Sequence, residues 1–147
     1  MMNTEIKRMD SSHIKALSEI EKECFSTPWS ENALGDELNN GFSRFFVAEC
    51  NGAVAGYIGA HSILGEVYIT NVAVSEAFRR KGIAEKLIKT LVEFCENEGM
   101  EFVTLEVRRS NKAAKKLYAK MGFREVGERK DFYENPREDA ILMTYKR

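Results

Sequence analysis

The sequence predicts one α/β domain, more closely α+β, and three observations carry that prediction. Asn51-Gly52 stands between two β-rich runs, the strongest short signal for a two-residue hairpin. The β-rich segment from Glu66 to Val74 passes through a basic glycine turn, Arg79-Arg80-Lys81-Gly82, into a run of helical period. Phe102 to Val107 then alternates between two sets of residues before a second helical stretch.

Each element follows from local pattern. Asp10 or Ser11 can cap a first helix, whose apolar positions Ile14, Leu17, Ile20 and Cys24 recur at helical spacing. Ser30 can cap a second, reaching about Leu38. Phe45 to Ala48 leads into Asn51-Gly52, and Val54 to His61 forms the return strand, so an antiparallel meander feeds the strand from Glu66. Within that strand the apolar alternation shifts between Ile69 and Val72, which predicts a bulge that aims backbone groups toward a ligand. Ala84, Leu87, Ile88, Leu91 and Cys95 make one apolar stripe of a core-facing helix, and Gly99 is placed to stop it in a left-handed cap. Val103, Leu105 and Val107 face away from Phe102, Thr104 and Glu106. Asn111 is a plausible cap for a last helix carrying Ala114, Leu117, Tyr118 and Met121 on its inward face.

Composition sets the outer limits. At 147 residues, 44% hydrophobic and 31% charged, the chain has the size of one domain. Its longest apolar stretch, Ala53 to Ala60, is interrupted by Gly56 and Gly59 and is too short to span a bilayer, and Met1 to Asp10 shows no secretory pattern. A cytoplasmic protein with no membrane partner is expected. Cys24, Cys50 and Cys95 are odd in number and lie in apolar surroundings, so they read as reduced thiols rather than disulfides or a metal site. A net charge of −1 argues against direct nucleic-acid binding. The bases are unevenly spread, however: Arg108, Arg109, Lys112, Lys115, Lys116, Lys120 and Arg124 occur without an intervening acid. They are either a solvated helix face or an attractor for a polyanion.

The basic glycine turn carries the first chemical signal. Unpaired N–H groups and the positive end of the dipole lie where a helix starts, so a helix opened by this turn suits a phosphate, and a diphosphate-bearing cofactor follows. The three-glycine dinucleotide fingerprint and the Gly-Lys-Ser/Thr of the ATP-binding loop are both missing. Arg79-x-x-Gly82-x-Ala84 instead resembles the signature with which the Gcn5-related N-acetyltransferases (GNAT) grip the pyrophosphate of acetyl-coenzyme A. That resemblance implies the GNAT fold, a central mixed, mostly antiparallel, twisted sheet flanked by helices.

Acetyl transfer to an amine needs a base and an acid. An α-amino group of pKa about 8 is mostly protonated at neutral pH, and its proton must be removed before attack. Glu106, at a strand end on the face opposite the valines, is either that base or a rim charge. Protonation of the departing sulfur needs an acid, and Tyr118 is either that acid or a core aromatic. His13 and His61 have no carboxylate or cysteine near them in sequence.

The resemblance sharpens further along the chain. Phe25-Ser26-Thr27-Pro28-Trp29-Ser30, Asn71-Val72-Ala73-Val74, Leu105-Glu106-Val107-Arg108, Ser110-Asn111, Leu117-Tyr118, Met121-Gly122-Phe123 and Tyr133-Glu134-Asn135-Pro136-Arg137-Glu138-Asp139-Ala140 together resemble the ribosomal-protein alanine N-acetyltransferases. The match runs in order from about Asn3 to Tyr145. It implies Glu106 as proton acceptor and Tyr118 as proton donor. It also implies that acetyl-coenzyme A is held by the backbone of Val72, Ala73 and Val74, by Arg79, Arg80, Lys81, Gly82, Ile83, Ala84 and Glu85, and by Asn111. Glu85 departs from the basic residue expected there, leaving its backbone N–H for the task. Direct transfer through a ternary complex to the N-terminal peptide of a ribosomal protein is implied. That peptide would enter as an added strand. Trp29, Tyr133 and Arg137 are candidate walls of its groove, or respectively a helix anchor, hairpin packing and a surface ion pair. Pro28 and Pro136 are expected in loops beside it. The rivals are an acetyltransferase for lysine, polyamine or another small amine, and a non-catalytic acyl-coenzyme A-binding module. A toxin acetylating aminoacyl-tRNA would call for stronger basicity.

Overall fold

The computed structural model describes residues 3–147. Seven strands, β1 (Thr4–Arg8), β2 (Ser43–Cys50), β3 (Ala53–Ile63), β4 (Glu66–Val74), β5 (Phe102–Arg108), β6 (Arg124–Tyr133) and β7 (Glu138–Lys146), form one sheet in the order β1-β2-β3-β4-β5-β7-β6. Every neighbouring pair is antiparallel except β4 and β5. Four α-helices flank it: α1 (Ile14–Cys24), α2 (Glu31–Asp36), α3 (Ile83–Asn97) and α4 (Lys112–Lys120).

Local chemistry explains most boundaries. Asp10 accepts the Ser12 N–H at 2.8 Å while its own N–H donates to His13 Nδ1 at 3.0 Å, a reciprocal cap on a short 3-10 turn that leads into α1. Ser30 Oγ accepts the Ala33 N–H at 3.1 Å and starts α2. That helix is shorter than expected, tightening at Glu37–Asn39 into a 3-10 turn. Asn51 and Gly52 both have positive φ, 50° and 85°, which sets the two-residue hairpin between β2 and β3. Gly99, at φ 85°, closes α3. The expected bulge is present: Gly59 faces Asn71 while Ala60 faces Ile69, so Thr70 is the extra residue.

Two cores lie on the two faces. Leu87, Ile88, Leu91 and Cys95 of α3, with Tyr118 of α4, pack on Val67, Ile69, Val103, Leu105 and Val107. Leu17, Ile20 and Leu34 of α1 and α2 pack on Phe45, Val47, Tyr57 and Ala73 on the other face. Cys50 and Cys95 are buried, Cys24 is partly exposed, and all three are free thiols. No helix of the described residues is long and apolar enough to cross a membrane. Periodicity did not announce β1, β6 or β7. β6 reads Arg-Glu-Val-Gly-Glu-Arg-Lys-Asp-Phe-Tyr and is exposed at every position before Tyr133, so no apolar face imprints a period on it.

Candidate active site

The site begins where β4 and β5 part. They pair only over Glu66–Tyr68 and Phe102–Thr104. Beyond the bulge, Asn71, Val72, Ala73 and Val74 remain bonded to β3 on one side, and among the described residues no strand pairs with their other edge. The bulge also leaves Thr70 Oγ1 and Asn71 Oδ1 buried without a hydrogen-bond partner among the described residues. Buried polar atoms are rarely left so.

The chain then turns into the anion site. Arg79 folds back, its Nε donating to the Val74 carbonyl at 3.0 Å and a terminal nitrogen lying 3.3 Å from Cys24 Sγ. Arg80 adopts positive φ, and Gly82, at φ 77°, is the N-cap of α3 without any side-chain cap. The first N–H groups of a 15-residue helix are thus left for an anion. Arg79, Arg80, Gly82, Ile83, Ala84 and Glu85, with Val74, Phe78 and Leu117, line a cleft of about 220 Å³. Lys81, Val72 and Ala73 do not line it; the latter two belong to the unpaired β4 edge that leads to it. Asn111 caps α4, its side chain accepting the Ala114 N–H at 3.1 Å. The uncapped helix start and the free β4 edge fit a long phosphate-bearing thioester.

The basic run is less positive than its sequence. Lys120 pairs with Glu85 at 2.6 Å, Arg109 with Glu128 and Asp139, and Arg108 with Glu138 at 3.2 Å. Those acids come from other elements, which a scan for local acids does not register.

Glu106 and Tyr118 stand on opposite faces of the sheet. Val103, Leu105 and Val107 point into the α3 core, so Glu106 projects to the α1–α2 face, half-buried. Tyr118 belongs to the α3 core and is 8% exposed. The sheet opens between them at the parting of β4 and β5. Burial pushes the Tyr118 phenol well above its ordinary pKa, so it stays protonated at neutral pH. Tyr133, at the end of β6, is close enough to Glu106, Tyr68 and Tyr118 for the charge of each to bear on the other, and burial pushes its own phenol up to about 12.

Sequence reasoning missed two residues here. Tyr68 of β4 donates its hydroxyl hydrogen bond to the carboxylate of Glu106. Arg108 of β5 lies 4.5 Å over the Tyr133 ring and donates to the carbonyls of Pro136, at 2.9 Å, and Glu134, at 3.0 Å, so it ties the β6–β7 turn to the site. The one available signal was Tyr68 as the outward residue of a strand just before a bulge. Both histidines meet carboxylates in the fold: His13 lies 3.5 Å from Asp10, three residues before it and overlooked in the sequence, and 2.9 Å from the distant Glu49, and His61 meets Glu37 at 2.9 Å. Of the candidate groove walls, Tyr133 joins the cluster and Arg137 is exposed on the β6–β7 turn. Trp29 packs on Phe45, ring centroids 6.1 Å apart, and lines an open groove of about 480 Å³ with Pro28, Ser30, Ala33, Asp36 and Glu37. Its backbone N–H donates to buried Glu21 at 2.8 Å, so it anchors α2 as well.

Comparison with known proteins agrees with this architecture. The chain is 33% identical over 144 residues to a ribosomal protein bS18 alanine N-acetyltransferase of Escherichia coli (strain K12), covering 97% of this chain and 96% of that one. It is 35% identical over 133 residues to the protein of that name from Haemophilus ducreyi, covering 86% and 89%. The crystal structure of the ribosomal-protein-S18-alanine N-acetyltransferase from Escherichia coli superposes with a TM-score of 0.91 at 30% identity, over 98% of this chain and 94% of that one. The family model described as Acetyltransferase (GNAT) family matches residues 14–123, which span α1 to the end of α4 and hold the phosphate turn, Glu106 and Tyr118. The chain therefore belongs to the GNAT acetyltransferase family.

Proposed function

We propose that this acetyltransferase moves the acetyl group of acetyl-coenzyme A to the α-amine of an N-terminal alanine of a small-subunit ribosomal protein in the cytoplasm. The observation that carries the reading is the opening between β4 and β5, which gives the cofactor face and the acceptor face a common point flanked by Glu106 and Tyr118. The names of the relatives supply the acceptor.

Acetyl-coenzyme A supplies the acetyl carbon as a reactive thioester. The free edge of Val72, Ala73 and Val74 binds its arm by backbone hydrogen bonds, as an added strand would. The N–H groups at the start of α3, from Gly82 to Glu85, hold the pyrophosphate, with Arg80 and Lys81 beside them as charge. Arg79 keeps the turn closed through the Val74 carbonyl. Glu85, engaged by Lys120, contributes its backbone only. Asn111 fixes the start of α4, and with it the position of Tyr118. On the other face Trp29, Tyr133 and Arg137 border the acceptor peptide. Glu106 accepts the proton of the ammonium, the neutral amine attacks directly, and Tyr118 returns a proton to the sulfur as it leaves.

Release of free thiol from acetyl-coenzyme A tests the reading, with an alanine-starting ribosomal-protein peptide set beside an N-blocked copy containing lysine. Turnover confined to the free terminus, and lost by at least about 100-fold in Glu106→Gln, is the expected result. Turnover only on the blocked peptide identifies a lysine acetyltransferase instead, and cofactor binding without turnover on any amine identifies a binding module.

A further inference from the structure

Glu21 of α1 is a carboxylate that takes no part in the acid–base chemistry, yet it is only 1% exposed. Its Oε1 accepts the Trp29 N–H at 2.8 Å and its Oε2 accepts the Tyr57 hydroxyl at 2.7 Å, and among the described residues it forms no ion pair. A charge taken out of water to meet only neutral donors is costly. A leucine of similar size would pack in its place, so Glu21 calls for a reason other than stability. We propose that Glu21 is a positioning residue for the acceptor, whose carboxylate clasps the Trp29 wall of the groove to the sheet at a fixed distance from the opening between β4 and β5. The inference rests on the reading of Trp29 as a groove wall and deepens it by naming what sets the place of that wall.

One arm of the clasp holds a segment with little else to fix it. Residues 25–28 are exposed, and α1 ends where the Phe25 N–H donates to the Glu21 carbonyl at 2.9 Å. From there to the Ser30 cap of α2, the contact from Trp29 to Glu21 is the one hydrogen bond of residues 26–29 among the described residues. The Trp29 ring rests on Phe45, and Phe45 on Tyr57, with centroids 6.1 Å apart in each pair.

The other arm is rigid. Tyr57 is fully buried in β3, faces Ala73 of β4 in register, and has the Asn71 side chain beside its phenol. Burial and the charge of Glu21 keep that phenol protonated, so it remains a donor. One carboxylate therefore joins the acceptor wall to the strand whose free edge is assigned to the cofactor. Two oxygens on one side chain are what this requires: a carboxylate accepts from both donors at once, and an aliphatic side chain accepts from neither. An amide keeps one oxygen for the Trp29 N–H and offers an N–H to the phenol oxygen.

The test compares wild type, Glu21→Leu, Glu21→Gln and Tyr57→Phe in steady-state rates on the alanine-starting peptide and in calorimetric coenzyme A affinity. Trp29 is the only tryptophan of the chain, so acrylamide quenching of its fluorescence reads the wall directly, whatever the acceptor. In Glu21→Leu the acceptor KM should rise at least about tenfold, because the freed wall shifts on the ångström scale, while the acetyl-coenzyme A KM and coenzyme A affinity stay unchanged. Trp29 should become more accessible to acrylamide in the same variant. Glu21→Gln should keep its acceptor KM within about threefold of wild type, and Tyr57→Phe, which loses one arm only, should raise it about threefold. An acceptor KM in Glu21→Leu within about twofold of wild type overturns the proposal. So does a parallel loss of coenzyme A affinity, or a Glu21→Gln as impaired as Glu21→Leu. Should Glu21→Leu not fold, an unchanged acceptor KM in Tyr57→Phe overturns it. Unchanged quenching in Glu21→Leu overturns the clasp and leaves Trp29 as a wall, whereas greater quenching with an unchanged acceptor KM overturns the wall as well. A wild type active only on the N-blocked lysine peptide overturns the α-amine reading alone, and the same KM comparison on that peptide then decides the clasp.

Discussion

Gly56 of β3 is the tightest point behind the cofactor edge, and replacing it with alanine tests how firmly that edge is held. A Cβ at position 56 would lie 2.4 Å from the Ala73 carbonyl oxygen, 3.0 Å from Val74 Cα and 3.2 Å from Val74 Cγ2. Ordinary contact begins near 3.4 Å, so the shortfall is about 1 Å, and two of the three obstacles are backbone of β4. Backbone in a paired strand cannot swing aside as a side-chain tip does. Gly56→Ala must push β4 toward the opening that its Val72–Val74 edge lines. Overpacking of this kind costs about 1–3 kcal/mol. At roughly 4 °C per kcal/mol for a chain of this size, Tm should fall by about 4–12 °C. Coenzyme A affinity should fall at least about tenfold, since a 1 Å displacement spoils backbone hydrogen bonds that have little angular tolerance. Differential scanning calorimetry and isothermal titration with coenzyme A measure both. Gly35→Ala, in α2 with nothing within 4 Å of the added Cβ, is the control and should keep full affinity. A Gly56→Ala protein with unchanged Tm and affinity would refute the claim that β3 sets the position of the cofactor edge.

Two further outcomes follow from the β6–β7 turn. Arg108→Ala removes the guanidinium that bridges Glu134, Pro136 and Glu138 and stacks on Tyr133, so the KM for the acceptor peptide should rise about tenfold while that for acetyl-coenzyme A stays unchanged. Arg108→Lys should recover little of it in the same steady-state assay, because an ammonium cannot reproduce the planar fork. The Glu138 carboxyl is held below its ordinary pKa by hydrogen bonds from Ser110 and then by Arg108. A carboxyl depressed in the folded state stabilises above its unfolded pKa, near 4.5, and loses that contribution as pH falls through the folded value. Glu138→Gln should therefore lower stability at neutral pH and flatten the loss of stability below about pH 4.5 in acid titrations followed by circular dichroism.

How much of this was legible beforehand depended on the range of the interaction. Asn51-Gly52, Gly99, the Ser30 cap, the α3 stripe and the bulge near Thr70 are set by backbone preferences and periods within a few residues, and all were readable. So were the outward face of Glu106 and the inward face of Tyr118, since each follows from the period of its own element. β6 was not readable, because an edge strand exposed on both faces carries no apolar signature. The phosphate turn could be recognised in the sequence, but not that Arg79 spends its guanidinium on the Val74 carbonyl.

By itself, then, the sequence determined the order and type of most elements, which face each presents, and the family to which the chain belongs. Only the tertiary structure decided which groups meet. Tyr68 and Glu106 are 38 residues apart, Lys120 and Glu85 are 35 apart, and His13 and Glu49 are 36 apart. Each pair exists because strands distant in the chain were brought into adjacent places or a helix was laid across them. A period of two or 3.6 residues records a side chain's own face and nothing of what lies opposite. The register between β4 and β5, and the point where it ends, had to form before the base acquired its hydroxyl neighbour.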